Sequence, residues 1–169
     1  MDITQLILDD HAEQRRLFAV LDEIEPQNIG ALQATWNHLR ALLDAHALAE
    51  ERFFYPDLLK IGRGADGDSA KEETRDAIKD HNEIRDTAAK VDEQRPGSPG
   101  WRQAVAAVNR ANGDHMAEEE RQGLTDFRRT AGLELRHRLA VQFLQFRMEH
   151  LLGVKPVDRD VDAYVRENS

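Results

Sequence analysis

Apolar residues recur every three or four positions along four long segments of the chain, at residues 3–21, 32–53, 74–91 and 101–119. The second segment is the clearest, and its apolar stripe advances in steps of four or three through Leu32, Trp36, Leu39 and Leu43. This spacing places the stripe on one face of an α-helix. No segment alternates apolar and polar residues as a half-buried strand would. The pattern therefore predicts four amphipathic helices and no sheet.

Short stretches rich in glycine and proline separate these helices, at residues 25–30, 61–69 and 95–100. Such stretches favour turns, and short connections favour antiparallel neighbours. The sequence therefore predicts an all-α fold, an antiparallel up-down-up-down four-helix bundle with a C-terminal extra helix.

The chain continues beyond these four helices. Helical spacing returns at residues 133–151, and residues 157–169 are expected to form a short helix or a loosely held tail. We expect the bundle to occupy residues 1–127 and a C-terminal extension to occupy residues 128–169. The C-terminal extension could pack across the bundle, cover the entrance to a site or form a dimer contact.

Composition narrows the classes of function. Of the 169 residues, 40% are hydrophobic and 33% are charged, which is ordinary for a folded, helix-rich protein. The net charge of −9 disfavours a nucleic-acid partner or an anionic membrane surface. The absence of cysteine excludes disulfides and thiolate metal ligands. Since no signal sequence and no long apolar run is evident, we expect a cytoplasmic protein.

A histidine interrupts the apolar stripe of each predicted helix. These four histidines are His11, His46, His81 and His115. Glu50 and Glu119 each follow a histidine by four residues, one turn further along the same face. A carboxylate that faces a core is costly unless it is paired or bound to a metal. The six side chains therefore indicate a common partner.

The loop positions bring the histidines to one level. His11 and His81 each lie about 15 residues before a loop proline, and His46 and His115 lie about 15 residues after a loop glycine. At 1.5 Å per residue, each histidine is roughly 22 Å from its loop. The second half of the chain also repeats the first at an offset of about 70 residues. We therefore expect the two histidines of each hairpin to face each other, with pseudo-two-fold symmetry between the hairpins.

Imidazole and carboxylate ligands suit first-row metals such as iron, manganese or zinc. The pseudo-symmetry predicts two metals, each with two histidines, bridged by Glu50 and Glu119 and with positions open to a small molecule. Inward Glu and His residues are a known way for a bundle to hold a di-metal centre. The alternative is a zinc-filled or metal-free structural bundle, with four separately hydrogen-bonded core histidines and two surface glutamates.

The chain resembles the hemerythrin-like, HHE cation-binding domain in four parts that occur in order: His11, HALAEERFFYP (46–56), DHNEIR (80–85) and HMAEEE (115–120). The resemblance covers roughly residues 5–127. It implies a four-helix bundle around two iron ions joined by an oxo or hydroxo group, and chemistry with oxygen, peroxide or nitric oxide. Carried over by position, the implied metal ligands are His11, His46, Glu50, His81, His115 and Glu119.

Two departures separate the chain from the oxygen carriers of that family. The carriers have an HxxxH pair on the third helix, whereas Arg85 stands four residues after His81. They have HxxxxD on the fourth helix, where this chain offers Glu119 or Glu120. We favour Glu119 because it mirrors Glu50, with Glu120 as the alternative. Since reversible oxygen carriage depends on a particular ligand set, we do not expect it here.

Tyr55 is a further candidate ligand. A regular helix would point it away from the site, but Pro56 biases the residue before it away from helical geometry. Some bacterial hemerythrin-like proteins resemble this chain in placing a tyrosine before that proline, where it can approach the irons. The alternative is that Tyr55 only packs the end of the helix.

Two classes of function follow. In the first, a di-iron centre consumes peroxide or nitric oxide. In the second, the protein is a binding module that senses oxygen or iron, or stores metal, and signals through the C-terminal extension. The expected partner is a small diatomic or peroxide ligand, with no nucleic acid and no membrane. The remaining histidines, which lack a carboxylate one turn on, are expected at the surface or at an interface: His38, His137 and His150.

Overall fold

The structure is a computed structural model that describes residues 1–169 and is all-helical. Its eight helices are α1 (Ile3–Glu23), α2 (Ile29–Phe53), α3 (Tyr55–Ile61), α4 (Ala70–Asp92), α5 (Pro99–Arg121), α6 (Gly123–Thr130), α7 (Leu133–Glu149) and α8 (Val161–Asn168). Helices α1, α2, α4 and α5 form the bundle, with α1–α2 and α4–α5 as its hairpins. The predicted fold class is confirmed. The short helices α3 and α6 are additional. The C-terminal extension contains α7 and α8, so the last stretch forms the short helix rather than the loosely held tail.

A side-chain cap fixes the start of each bundle helix. The side chains of Asp2, Asn28, Ser69 and Ser98 each accept a hydrogen bond from a backbone N–H in the first turn. At α4, Glu72 also reaches back to the N–H of Ser69 and completes a capping box. These fixed starts set the level at which each inward side chain lies.

The inward stripes form two apolar clusters with a polar layer between them. The cluster near the hairpin loops includes Trp36 and Trp101, whose rings meet edge to face with centroids 6.4 Å apart. The other cluster joins the start of α1 to α3, α6 and the C-terminal extension, and it includes Ile7 and Phe143. The polar layer contains the histidines and glutamates that interrupt the stripes.

The C-terminal extension packs across the bundle. Helix α7 lies against α1 and α2, and α8 lies against α3 and α4. His38 and His137 are exposed, and His150 is half-buried at the end of α7. None of the helices is both long and apolar enough to span a bilayer.

Candidate metal centre

The four histidines meet in the polar layer. Each is at most 4% exposed. The ring centroids of His11 and His46 are 5.1 Å apart, and those of His81 and His115 are 4.6 Å apart. The equal distances of the histidines from their loops therefore translate into contact within each hairpin.

Glu50 lies between the two hairpins. Its Oε1 is 3.0 Å from Nε2 of His46, and its Oε2 is 3.3 Å from Nε2 of His81. Two groups of side chains have ligand atoms close enough to hold a metal ion, and both include Glu50: one with His11 and His46, the other with His81 and His115. The carboxylate is therefore placed where it could bridge two ions.

Glu119 also faces the polar layer. Its Oε2 is 3.3 Å from Nε2 of His11, and its Oε1 accepts a hydrogen bond of 2.7 Å from the hydroxyl of Tyr55. Glu120 lies behind His11 instead, 2.9 Å from Nδ1, with its side chain 29% exposed. Of the two alternatives left by the sequence, Glu119 is the one whose carboxylate points into the layer.

A carboxylate lies behind each imidazole, at its Nδ1 atom. The pairs are His11 with Glu120 at 2.9 Å, His46 with Asp10 at 2.9 Å, His81 with Glu51 at 3.1 Å and His115 with Asp80 at 3.7 Å. An ionised carboxylate can only accept a hydrogen bond, so it keeps a proton on Nδ1 of His11, His46 and His81 and directs Nε2 of these rings at the layer, whereas Asp80 lies beyond hydrogen-bonding distance of His115. This is the arrangement in which a metal-binding histidine is commonly held.

Several polar atoms of the layer are buried without a hydrogen bond. They are Nε2 of His11 and His46, both carboxylate oxygens of Glu50, and Oε2 of Glu119. In addition, the Nε2 atoms of His81 and His115 lie 3.1 Å apart, within hydrogen-bonding distance, and both face the layer. Each unpartnered buried polar group costs about 1–3 kcal/mol. A metal ion would be a ligand partner for all of these atoms, and the donor set therefore fits a metal.

Neighbouring charge outweighs burial in setting the pKa values of the layer. Burial lowers the pKa of His46, but the charge of Glu50, 3.0 Å away, raises it above its usual value. Burial raises the pKa of Glu50, but His46 and His81 hold it well below its usual range. The neighbouring carboxylates therefore favour the protonated forms of His11, His46 and His81, and a metal must displace those protons.

Tyr55 enters the layer because the helix breaks in front of it. Helix α2 ends at Phe53, and α3 begins at Tyr55 with Pro56 in its first turn. Tyr55 is 1% exposed, and its ring centroid lies 5.8 Å from that of His81. Burial and the adjacent charge of Glu119 raise the pKa of the phenol well above its usual value. In the metal-free fold Tyr55 is therefore a neutral hydrogen-bond donor.

Arg85 does not point its charge at the layer. Its Nη2 donates to Oε1 of Glu51 at 2.5 Å, on the side of His81 away from the layer. Burial raises the pKa of Glu51, but His81 and Arg85 lower it to about 2. The cation that replaces a histidine of the oxygen carriers is thus neutralised by a buried carboxylate.

A crevice between α3, α4 and α5 borders the layer. Tyr55, His115 and Glu119 form part of its wall. Its other polar lining residues are Glu73, Asp76, Asp80, Glu118 and Gln122, with no lysine or arginine among them. The crevice gives the layer an acidic approach from the surface.

Sequence reasoning missed the carboxylates behind the imidazoles. Asp10 and Asp80 each precede a histidine, and Glu51 and Glu120 each follow an inward glutamate. The repeated doublets Asp-His and Glu-Glu in both halves were the signal that could have found them.

The comparisons with known proteins agree with the helical fold. The family model for the hemerythrin HHE cation binding domain matches residues 2–124. Among solved structures, the chain is similar to a hemerythrin HHE cation binding domain-containing protein from Mycobacterium kansasii, with a TM-score of 0.74, 20% sequence identity and 98% of each chain covered. No curated protein matches the sequence. The structural likeness extends over the C-terminal extension as well as the bundle.

Proposed function

The chain belongs to the hemerythrin HHE cation binding domain family, and on that premise we propose that it is a non-haem di-iron protein that reacts with peroxide or nitric oxide. The proposed cofactor is two iron ions, joined by an oxo or hydroxo group. The proposed ligands are His11, His46, Glu50, His81, His115 and Glu119, with Tyr55 as a further candidate.

The position of Glu50 is the observation that carries this proposal. Its two oxygens face imidazoles of opposite hairpins, so two metal-sized groups of ligands share one carboxylate. A bundle that held one structural ion would need only one of these groups. Inward glutamates and histidines around two adjacent ions are the arrangement of the di-iron and di-manganese carboxylate bundles.

Bound iron would supply Lewis acidity and electron transfer. The residues of the chain orient the site and select what reaches it. Asp10 and Glu51 fix two imidazole rings through Nδ1, and the hydroxyl of Tyr55 donates a hydrogen bond to Oε1 of Glu119, with the two oxygens 2.7 Å apart. The acidic crevice disfavours anions, so a neutral molecule such as hydrogen peroxide or nitric oxide fits it better than superoxide or nitrite.

The test of this proposal is metal content together with the visible spectrum and the turnover of the iron-loaded protein. Two irons per chain, and consumption of peroxide or nitric oxide well above that of free iron, are the expected result. If Tyr55 binds iron, a phenolate band is expected that disappears in Tyr55→Phe. Zinc in the purified protein, or failure to take up iron on reconstitution, would support the structural bundle instead.

A sensor or storage module without turnover is the second candidate. The observation that favours it is the packing of α7 and α8 against the same helices that carry the histidines. A change at the metal centre could therefore alter the docking of the C-terminal extension. Ligand-dependent protease protection of residues 130–169, without consumption of peroxide or nitric oxide, would support this candidate over the first.

A further inference from the structure

Two arginines of the C-terminal extension contact the carboxylates that lie behind the histidines. We propose that Arg147 and Arg159 are positioning residues, each fixing the carboxylate that orients one histidine, so that the docked extension sets how tightly each metal ion is held. The inference rests on the proposed di-iron function. It assigns a role to residues that lie outside the matched family region, residues 2–124.

The first of these connections runs from α7. Arg147 forms an ion pair with Oδ2 of Asp10, and the same oxygen accepts the hydrogen bond from Nδ1 of His46 at 2.9 Å. The side chains of Arg147 and Asp10 are only 15% and 17% exposed. Phe143, one turn earlier on α7, packs its ring edge against His46, with centroids 6.1 Å apart. Helix α7 therefore holds His46 both through Asp10 and by direct contact.

The second connection runs from the segment before α8. Nε of Arg159 donates to Oε2 of Glu51 at 2.8 Å, and Oε1 of Glu51 lies 3.1 Å from Nδ1 of His81. Asn82, next to His81, exchanges two hydrogen bonds with the backbone of Arg159, at 2.8 and 3.1 Å. The hydroxyl of Tyr164 donates to the backbone carbonyl of Glu51. The position of Arg159 is therefore fixed on the helices that it acts upon.

The two arginines act on different halves of the layer. Arg147 reaches the group of His11, His46 and Glu50, whereas Arg159 reaches the group that contains His81. Removing a group that orients a metal-binding histidine typically lowers metal affinity by about 10- to 100-fold. Each arginine is therefore expected to affect one ion of the pair more than the other. Because linkage is reciprocal, metal binding is also expected to tighten the docking of the C-terminal extension.

The chain offers matched controls. Arg136 on α7 donates to Asp2 at 2.6 Å with the same 15% side-chain exposure as Arg147, and Arg75 pairs with Asp162 of α8. Both ion pairs join the C-terminal extension to the bundle, but neither contacts a carboxylate behind a histidine. Arg136→Met and Arg75→Met therefore each remove one ion pair of the extension but leave the contacts of Arg147 with Asp10 and of Arg159 with Glu51 in place.

The experiment measures the release of Fe²⁺ from the anaerobically loaded full chain to a coloured chelator. Arg147→Met and Arg159→Met are expected to release one of the two ions about 10-fold faster, each accelerating a different phase. The double variant is expected to accelerate both phases, and Arg147→Lys to restore part of the slow release. The two control variants are expected to release iron at the rate of the unsubstituted chain.

Unchanged release from folded Arg147→Met and Arg159→Met would overturn the inference, and so would equal acceleration by the two controls. Circular dichroism establishes that each variant is folded. If Arg147→Met does not fold, Arg147→Lys and Asp10→Asn carry the same test, because faster release is expected from both. An unsubstituted chain that binds fewer than two irons would overturn the proposed function itself, whereas two irons with unaffected variants would overturn only this inference.

Discussion

Glu50 links the two halves of the polar layer, because each of its carboxylate oxygens faces the imidazole of a different hairpin. Glu50→Gln replaces one of these oxygens with an amide NH₂ group, which cannot bind a cation. We expect the iron content to fall from two ions per chain to one or none, as measured by elemental analysis after reconstitution. Glu118→Gln, at an exposed position of α5, is the control and should keep two. Equal iron content in both variants would exclude a bridging role.

The stability of the fold is expected to depend on pH through one buried carboxyl group, that of Glu73. It is 6% exposed, and its Oε2 has no hydrogen bond. Burial, reinforced by the charge of Asp126, raises its pKa from 4.5 to about 7. Because the unfolded chain ionises at the lower value, the folded state binds more protons between these two pH values, and stability falls as pH rises through that window.

Glu73→Gln removes this loss of stability at higher pH, and it keeps the side-chain oxygen that accepts a hydrogen bond from the N–H of Ala65. After allowance for solvent screening, we expect the variant to be about 1 kcal/mol more stable than the unsubstituted chain at pH 8, with little difference at pH 4.5. Urea denaturation at the two pH values measures the effect. Asp76→Asn, exposed on the same helix, should give no pH-dependent gain. An equal gain at both pH values would point to packing rather than ionisation.

At the scale of elements, the bundle helices were predictable because each carries one continuous stripe facing one core. The histidines and Glu50 could be found by the same period, since they interrupt that stripe. The period does not reveal the roles of Asp10 and Glu51, because they lie beside the stripe and meet their imidazoles only after the helices pair; only the repeated Asp-His and Glu-Glu doublets point to them. Helix α8 has only eight residues, and its docking depends on distant partners rather than on its own pattern.

Helix α5 contains a glycine that its structure does not require. A Cβ at Gly113 would meet no atom within 4 Å. Alanine has the higher helix propensity and a less flexible unfolded state, so Gly113→Ala should raise the free energy of unfolding by about 0.5–1 kcal/mol. Urea denaturation measures it. The contrasting position is Gly64, where φ is +86° and a Cβ would overlap the carbonyl oxygen of Asp68, so Gly64→Ala should destabilise the protein. If Gly113→Ala were less stable than the unsubstituted chain, the expectation that a side chain fits freely at this position would be wrong.

At the scale of the whole molecule, the polar layer lies between two apolar clusters, and the C-terminal extension covers one side of the bundle. Several buried atoms of this layer, among them Nε2 of His46 and both carboxylate oxygens of Glu50, have no hydrogen bond and would gain a partner in a bound cation. Any ligand that binds the folded state alone stabilises it by mass action. Metal removal is therefore expected to lower the melting temperature of the whole chain rather than to loosen one helix.

The amount by which bound metal raises the melting temperature should depend on pH. In the metal-free fold, burial lowers the pKa of His11, His46 and His81, but the neighbouring carboxylates outweigh burial and raise all three above 6.5. The protonated imidazoles therefore contribute stability that is fully present below pH 6.5 and is lost as pH rises through the raised values. Metal binding needs the neutral rings, so protons compete with it at low pH. The increase in melting temperature on adding Fe²⁺ should consequently be larger at pH 8 than at pH 6.

Differential scanning calorimetry under anaerobic conditions, with saturating Fe²⁺ and again after chelation, measures this increase at both pH values. Glu50→Gln serves as the control, because it keeps the histidines but loses a shared ligand oxygen, and its increase should be smaller at each pH. An increase that is equal at the two pH values, or larger at pH 6, would mean that the ion is not held by these imidazoles. Exposed carboxylates, which are already ionised at pH 6, would then be the metal ligands, since their affinity changes little over this range.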